Sequence, residues 1–382
     1  MNSVVVFLLV FTLLGSGFFF VSIQSGFAEN TYNTSEFKTL NISAAWPHYG
    51  NEDDLIFIHG LKQDGNITWG IWFMNDTTPK HLLYADDSID YTFTGPTFSS
   101  DETSIVFTEG APLSIIMLEQ NGTQWDDNCI SRIVFERPKG ALKTPSFSPD
   151  GRQLIFYSIE YRDRHGDAWV MDVDGTNRTR LASDNKGGMS PSFSPDGSKI
   201  VYERWSGDGG TEIWIMNANG TGKKRICDDS WYPGNPCFMP DGKILFDSAR
   251  YSPHSKGVSA PSIWMMEQDG SNRTLLVPSV ITSLGSERPT INGQGTRIAF
   301  EHGLGDSLSI YYVEDPDRDG VWEDSDGDHV ADICDGYPND PNRGYYVDDE
   351  EDQFLGFGFE TVSFSILCAL VLTWRKREER GR

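Results

Sequence analysis

The phrase Pro-x-Phe-Ser-Pro-Asp-Gly stands twice in this chain, at Pro145–Gly151 and Pro191–Gly197, and four more copies survive in altered form. The copies are anchored at Pro47, Pro96, Pro145, Pro191, Pro236 and Pro289, so successive anchors lie 49, 49, 46, 45 and 53 residues apart. A period of that length, filled with short apolar runs, is one supersecondary unit repeated, and such units stack because none can bury its apolar face alone. The repeat therefore fixes the architecture, and most of its recurring residues are there to build it.

The third copy illustrates the unit. Pro145-Ser-Phe147-Ser reads as a short strand, and Pro149-Asp150-Gly151 is turn chemistry: proline presets φ, aspartate bonds the backbone ahead and glycine accepts φ > 0. Leu154 to Tyr157 is an apolar run of strand length, Ala168 to Met171 is a third strand, Asp174-Gly175 is a hairpin signal, and Arg178 to Leu181 returns as a fourth. Other copies repeat the order, with third strands at Ile71–Met74, Ser114–Met117, Glu212–Met216, Ser262–Met265 and Ser309–Tyr312. Four strands in each of six repeats predict an all-β fold, a six-bladed β-propeller. The sixth copy lacks a fourth strand before the chain turns acidic at Glu314, and Phe37–Leu40, just ahead of the first anchor, is suited to supply it. Closing the ring with strands from both ends removes open sheet edges.

These residues resemble the TolB-like propeller repeats over roughly Glu36 to Val313, most closely in copies three to five. The resemblance implies a binding scaffold, often on the outer side of a membrane. That family also holds enzymes, so the fold alone does not give an activity.

A formal charge of −25 argues against nucleic acid as a partner, because a phosphate backbone needs a basic face. Residues 1–28 are almost wholly apolar and end in Gly26-Phe27-Ala28, which reads as a secretory signal peptide; the alternative is an uncleaved anchor. Residues 354–374 are largely apolar and run into a basic tail, 375–382, with Arg375-Lys376-Arg377. That is a stop-transfer pattern and predicts a transmembrane helix with the propeller outside, at the cell surface. Gly356 to Glu360, the apolar run and the basic tail together resemble archaeal surface-sorting tails of the Pro-Gly-Phe type, although the proline is absent; the resemblance implies exchange of the tail for a lipid.

Asn33, Asn41, Asn66, Asn75, Asn121, Asn177, Asn219 and Asn272 begin Asn-x-Ser/Thr sequons, the acceptor pattern for N-glycosylation, and each is equally explained as a turn former. The five cysteines do not form a disulfide framework; Cys227 and Cys237 flank the junction of blades four and five and are the one pair placed to bridge.

Residues 314–352 carry the clearest ligand signal. Carboxylates recur at relative positions 1, 3, 5, 9 and 12, as Asp315, Asp317, Asp319, Glu323 and Asp326, and the ladder restarts as Asp324, Asp326, Asp328, Asp332 and Asp335. Alternating carboxylates on a tight loop converge hard oxygens on one ion, and calcium takes six to eight of them. The stretch resembles thrombospondin type 3 repeats in Asp332-Ile-Cys334-Asp335 and the following Tyr337–Pro341, with His329 and Glu323 as departures. The expectation is a calcium-binding acidic stalk that holds the propeller off the membrane; the bland alternative is a charged linker.

No Gly-x-Ser-x-Gly elbow is present, which argues against a serine peptidase. The second strands end at Ile58, Thr108, Tyr157, Glu203, Asp247 and Glu301, so three consecutive blades present a carboxylate at one level. Facing the channel, Glu203, Asp247 and Glu301 would take a cation or a basic ligand; alternatively they pair with nearby Arg204, Arg250 and other blade residues. The sequence thus points to a non-enzymatic surface protein that binds a protein, peptide or glycan. The rivals are a metal-dependent polysaccharide lyase, which requires His59, His302 and Glu301 to gather in one pocket, and a structural envelope component.

Overall fold

The computed structural model describes residues 11–13, 18–20, 38–51, 53–63, 66–75, 81–85, 94–110, 113–122, 124–126, 128–137, 139–159, 165–182, 187–207, 209–228, 232–249, 251–252, 257–258, 261–277, 286–302, 309–317, 319–325, 327 and 331–332. The expected anchor helix and basic tail fall outside this set, as does all but a short strand pair of the expected leader (Phe11–Leu13 with Phe18–Phe20). Among the described residues no helix is long and apolar enough to cross a membrane.

The repeats fold as the period predicts. Blade two is the antiparallel sheet Thr94–Phe98, Ser104–Glu109, Leu113–Glu119 and Ile130–Arg137. Blade three is Ala141–Phe147, Gln153–Ile159, Asp167–Asp172 and Thr179–Arg180. Blade four is Met189–Phe193, Lys199–Trp205, Thr211–Asn217 and Lys224–Cys227. Blade five is Pro233–Phe238, Ile244–Ser248, Ser262–Met266 and Thr274–Val277, and a small extra hairpin, Tyr251–Ser252 with Gly257–Val258, stands between its second and third strands.

Blades one and six share a strand. Lys38–Tyr49 pairs with Ser309–Glu314 through Lys38, Thr39 and Ser43, then with Leu55–Gln63 from Ala44 onward. Its first half is the fourth strand of blade six, whose own strands are Ser286–Ile291, Arg297–His302 and Ser309–Glu314. Its second half opens blade one, which continues through Asn66–Met74 and His81–Ala85. The first strands of the six blades contact one another in cyclic order, so they encircle the central axis.

Packing between blades comes from the second strands. Phe57, Phe107, Phe156, Tyr202, Phe246 and Phe300 hold the same place in the six copies and all are fully buried. The cores lie between blades: Ile58, Ile71, Phe73, Phe98 and Phe107 join blades one and two, and Leu245, Ile263, Leu276, Phe300 and Val313 join five and six. A strand alternates its side chains, so the residue after each aromatic faces the opposite way. Those are the column residues Ile58, Thr108, Tyr157, Glu203, Asp247 and Glu301.

Candidate functional site

The six anchor prolines, from Pro47 to Pro289, all line one cavity of about 200 Å3 on the central axis. At every anchor the first strand is bulged, with the register against the second strand broken across the proline. The residue before each proline, Trp46, Gly95, Thr144, Ser190, Asn235 and Arg288, has φ between 45° and 57°. Residues before proline are pushed toward extended backbone, and five of these six carry a side chain in the left-handed region, where each costs of order 1–3 kcal/mol. The bulge re-aims these side chains at the channel. Three polar atoms of the cavity lining are buried without a hydrogen-bond partner in the protein: His48 Nδ1, Thr144 Oγ1 and Arg288 Nε. Burial lowers the His48 pKa to about 4, so the ring is neutral at physiological pH.

The three column carboxylates stand behind this ring and do not line the cavity. An X-Pro bulge orphans the N–H of X, and each carboxylate accepts that N–H from the next blade. Glu203 takes it from Asn235 at 3.3 Å, Asp247 from Arg288 at 2.9 Å, and Glu301 from Trp46 at 2.5 Å. Asp247 also accepts from Asn235 Nδ2 at 2.8 Å. The guanidinium of Arg288 lies 2.5 Å from Glu301, whose side chain is 1% exposed, and packs over the Trp46 ring at 4.4 Å. Burial and the neighbouring Asp247 charge push Glu203 up to about 7; burial, with Glu287 nearby, pushes Asp247 up to about 6. The arginine at this column is thus Arg288 and not the expected Arg204, which stacks on Trp214 at 4.2 Å, while Arg250 lies outside the described residues.

The acidic segment is not a stalk at its start. Asp315 donates its N–H to the Thr296 carbonyl, Trp322 donates Nε1–H to the Gly295 carbonyl at 2.9 Å, and Ala331 donates its N–H to the Leu275 carbonyl. Trp322 and Ala331 are buried in the core between blades five and six. The docked loop gathers carboxylate oxygens of Asp315, Asp317 and Glu323 within 4.8 Å of one another, the one such group among the described residues. Asp315 is 1% exposed; its Oδ2 accepts the Gly320 N–H, and its Oδ1 is buried with no partner. Burial raises the pKa values of Asp315 and Glu323, and the neighbouring Asp317 and Asp319 charges add to it. This donor set fits a hard cation. Asp319 is not in the group: its carboxylate caps the Val321 N–H. Asp324 and Asp332 bond Gly327 and Ser325 within the loop, and Asp326, Asp328 and Asp335 lie outside the described residues.

Among the described residues His59, His302 and Glu301 form no shared cluster. His59 packs edge-on against Trp72 at 5.3 Å, His302 edge-on against Tyr311 at 5.0 Å, and Glu301 is engaged as above. Cys227 and Cys237 are both free thiols, one on the fourth strand of blade four and the other on the first strand of blade five, and burial pushes each up to about 12. Sequence reasoning missed the bulge ring with Trp46, His48 and Arg288; the signal was the positions flanking each anchor proline, Trp46 and Arg288 before theirs and His48 after Pro47.

A family model described as TolB beta propeller domain matches residues 126–321, just over half of the chain. Solved structures with a similar fold include a putative TolB from Agrobacterium tumefaciens, with 15% identity and a TM-score of 0.48 over 64% of this chain and 82% of that one. An oligogalacturonate lyase from Vibrio parahaemolyticus has 12% identity and a TM-score of 0.48 over 75% and 97%. A luciferin-regenerating enzyme has 11% identity and a TM-score of 0.50 over 74% and 94%. At such identities the likeness is one of fold alone.

Proposed function

This chain belongs to the TolB beta propeller domain family, and from that we propose a non-catalytic binding protein of the cell surface that takes up part of a protein, peptide or glycan at its central channel. The observation that carries this reading is the ring of left-handed X-Pro bulges around the cavity. Backbone strain of this kind concentrates at ligand sites. The unpaired His48 Nδ1, Thr144 Oγ1 and Arg288 Nε ask for a ligand with both donors and acceptors, as a peptide amide or a sugar hydroxyl has. At about 200 Å3 the cavity is smaller than the roughly 300–1,000 Å3 of pockets that enclose a drug-sized molecule. It holds one side chain or one sugar ring of a longer ligand. The apolar segments 1–28 and 354–374 support attachment at the outer side of a membrane. Calcium is the ion we assign to Asp315, Asp317 and Glu323, because it favours carboxylate oxygens in flexible number and geometry.

The test is calorimetry of the full chain against a defined set of peptides and oligosaccharides, oligogalacturonides included, with the absorbance of unsaturated uronide followed in parallel. Saturable binding that weakens at least about tenfold, ~1.4 kcal/mol, in Thr144→Trp, with no unsaturated product, is the expected result. Accumulation of unsaturated product makes the chain a lyase and overturns the non-catalytic reading. Binding that Thr144→Trp leaves unchanged removes the channel from it.

A further inference from the structure

The turns that join third and fourth strands repeat one conformation. In blades three, four and five the N–H of Gly175, Gly220 and Gly270 closes on the carbonyl three residues back, at Asp172, Asn217 and Glu267. In blades three and four these turns also bond the turn between first and second strands, Val173 N–H to the Arg152 carbonyl and Ala218 N–H to the Ser198 carbonyl; in blade two Gln120 N–H bonds Thr103, and in blade five the Gln268 side-chain amide donates to the Gly242 carbonyl at 3.0 Å. Both kinds of turn therefore share one face of the ring. The column ends Glu203, Asp247 and Glu301 are at the other end of the second strands, on the opposite face.

Four exposed sequon asparagines stand on the turn-bearing face, one in each of four consecutive blades: Asn121, Asn177, Asn219 and Asn272. A fifth, Asn75 after the third strand of blade one, is half-buried and its Nδ2 donates to Asp54 at 2.8 Å, which leaves it out of the exposed set. Turn formation does not by itself require asparagine at two of them. Asn121 and Asn219 occupy the position that Asp174 and Asp269 fill in blades three and five, and all that this position requires is an acceptor. Asp174 Oδ1 takes the Thr176 N–H, Asp269 Oδ1 the Ser271 N–H, and Asn219 Oδ1 the Thr221 N–H. Aspartate there abolishes the sequon, and in those two blades a sequon stands three residues on instead, at Asn177 and Asn272. The left-handed φ of 52° explains an asparagine at both of these positions but not the threonine two residues later. Two registers of the same turn thus each yield one acceptor per blade. Asn121, Asn219 and Asn272 donate no side-chain hydrogen bond among the described residues, and the exposed Asn177 donates to Asp172 at 2.6 Å. Asn66 stands on the opposite face, at the hairpin between second and third strands of blade one.

We propose that Asn121, Asn177, Asn219 and Asn272 carry N-linked glycans, so that one face of the ring is coated with sugar and recognition takes place from the other. The donor class is a lipid-linked oligosaccharide phosphate. The amide Nδ2 bonds the anomeric carbon, the bond from that carbon to the phosphate oxygen breaks, the lipid phosphate leaves with the electron pair, and the nitrogen gives up one proton. Assigning the bare face to the ligand rests on the channel-binding reading above; the glycans themselves do not.

The experiment is glycopeptide mass mapping of the full chain purified from its native cells, with Thr221→Ala and Thr221→Ser variants expressed there. The expected result is sugar on all four asparagines, lost from Asn219 in Thr221→Ala and kept in Thr221→Ser. Four unmodified asparagines overturn the proposal, and occupancy of Asn66 equal to that of the four overturns its one-sided character. Neither outcome touches the calorimetric test of channel binding.

Discussion

An X-Pro bulge leaves one amide without a strand partner and, at the next residue, no amide at all. In three successive blades the orphan is met by a carboxylate from the blade before, and the acceptors are the residues that the sequence aligned as one column: Glu203, Asp247 and Glu301. Among the described residues one cation, Arg288, is in contact with them, and it pairs with Glu301. Glu203 and Asp247 are left adjacent and short of positive charge, which with burial is why both are pushed up, to about 7 and about 6. A carboxyl whose folded pKa exceeds its unfolded value binds more protons when folded. Its neutral form then costs nothing below the unfolded pKa near 4.5, and stability is lost as pH rises from there through about 7. Glu203→Gln keeps an acceptor for the Asn235 N–H and removes the charge, so it should raise Tm by roughly 2–4 °C at pH 8, for about 1 kcal/mol, and leave it unchanged at pH 4.5. Calorimetric melts at the two pH values check this; a fall in Tm at pH 8 would mean that the ionised form is stabilising. The turn aspartates act oppositely and in a different window. Serine and backbone bonds hold Asp196 down to about 2, so its contribution is present above pH 4 and lost only in stronger acid. The column was legible from the repeat because spacing reveals which positions correspond. Its partner was not, because a left-handed residue before proline runs against the local preference and only the neighbouring blade makes it tenable.

The element that departs most from its sequence reading is the acidic segment. Its carboxylate ladder was legible, and Asp315, Asp317 and Glu323 do converge. Its attachment was not, since a single tryptophan within a charged run reads as surface; only the groove between blades five and six shows Trp322 to be core. A free stalk would leave the propeller's melting indifferent to calcium. A docked loop makes the opposite prediction, because a ligand bound only by the folded state stabilises by RT ln(1 + [L]/Kd). At a hundredfold excess over Kd that is about 2.7 kcal/mol, and the propeller transition should rise in calcium and fall in chelator. Trp322→Ala, which empties a buried aromatic site at a cost of about 3–5 kcal/mol, should lower Tm and also weaken calcium binding, because the loop that gathers the carboxylates loses its anchor. Calcium that binds the full chain without moving the melt would return the segment to the role of a stalk.

At the scale of the whole ring, stability turns on one strand. Each internal blade is a sheet of four strands from one stretch of chain, whereas blade six has three of its own and takes its fourth from residues 38–43, some 265 positions upstream of its third strand. The sequence made this legible by subtraction, because the sixth copy ran out of strands while an unassigned one preceded the first anchor. What it did not reveal is that the same strand runs on without a break into blade one, changing partner between Ser43 and Ala44. The closure is therefore a clasp: losing it exposes the edge of Ser309–Glu314, and it also removes the covalent continuity that holds blade six against blade one. A chain beginning at residue 44 gives up the ladder bonds at Lys38, Thr39 and Ser43, worth about 1 kcal/mol each. It should melt roughly 10 °C lower, with the loss concentrated at the joint of blades six and one. Hydrogen exchange would locate it: the Arg297–His302 and Ser309–Glu314 amides should lose protection while those of blades three and four keep theirs. Uniform loss of protection around the ring would show instead that the six blades unfold as one cooperative unit, with the clasp setting the stability of all of them.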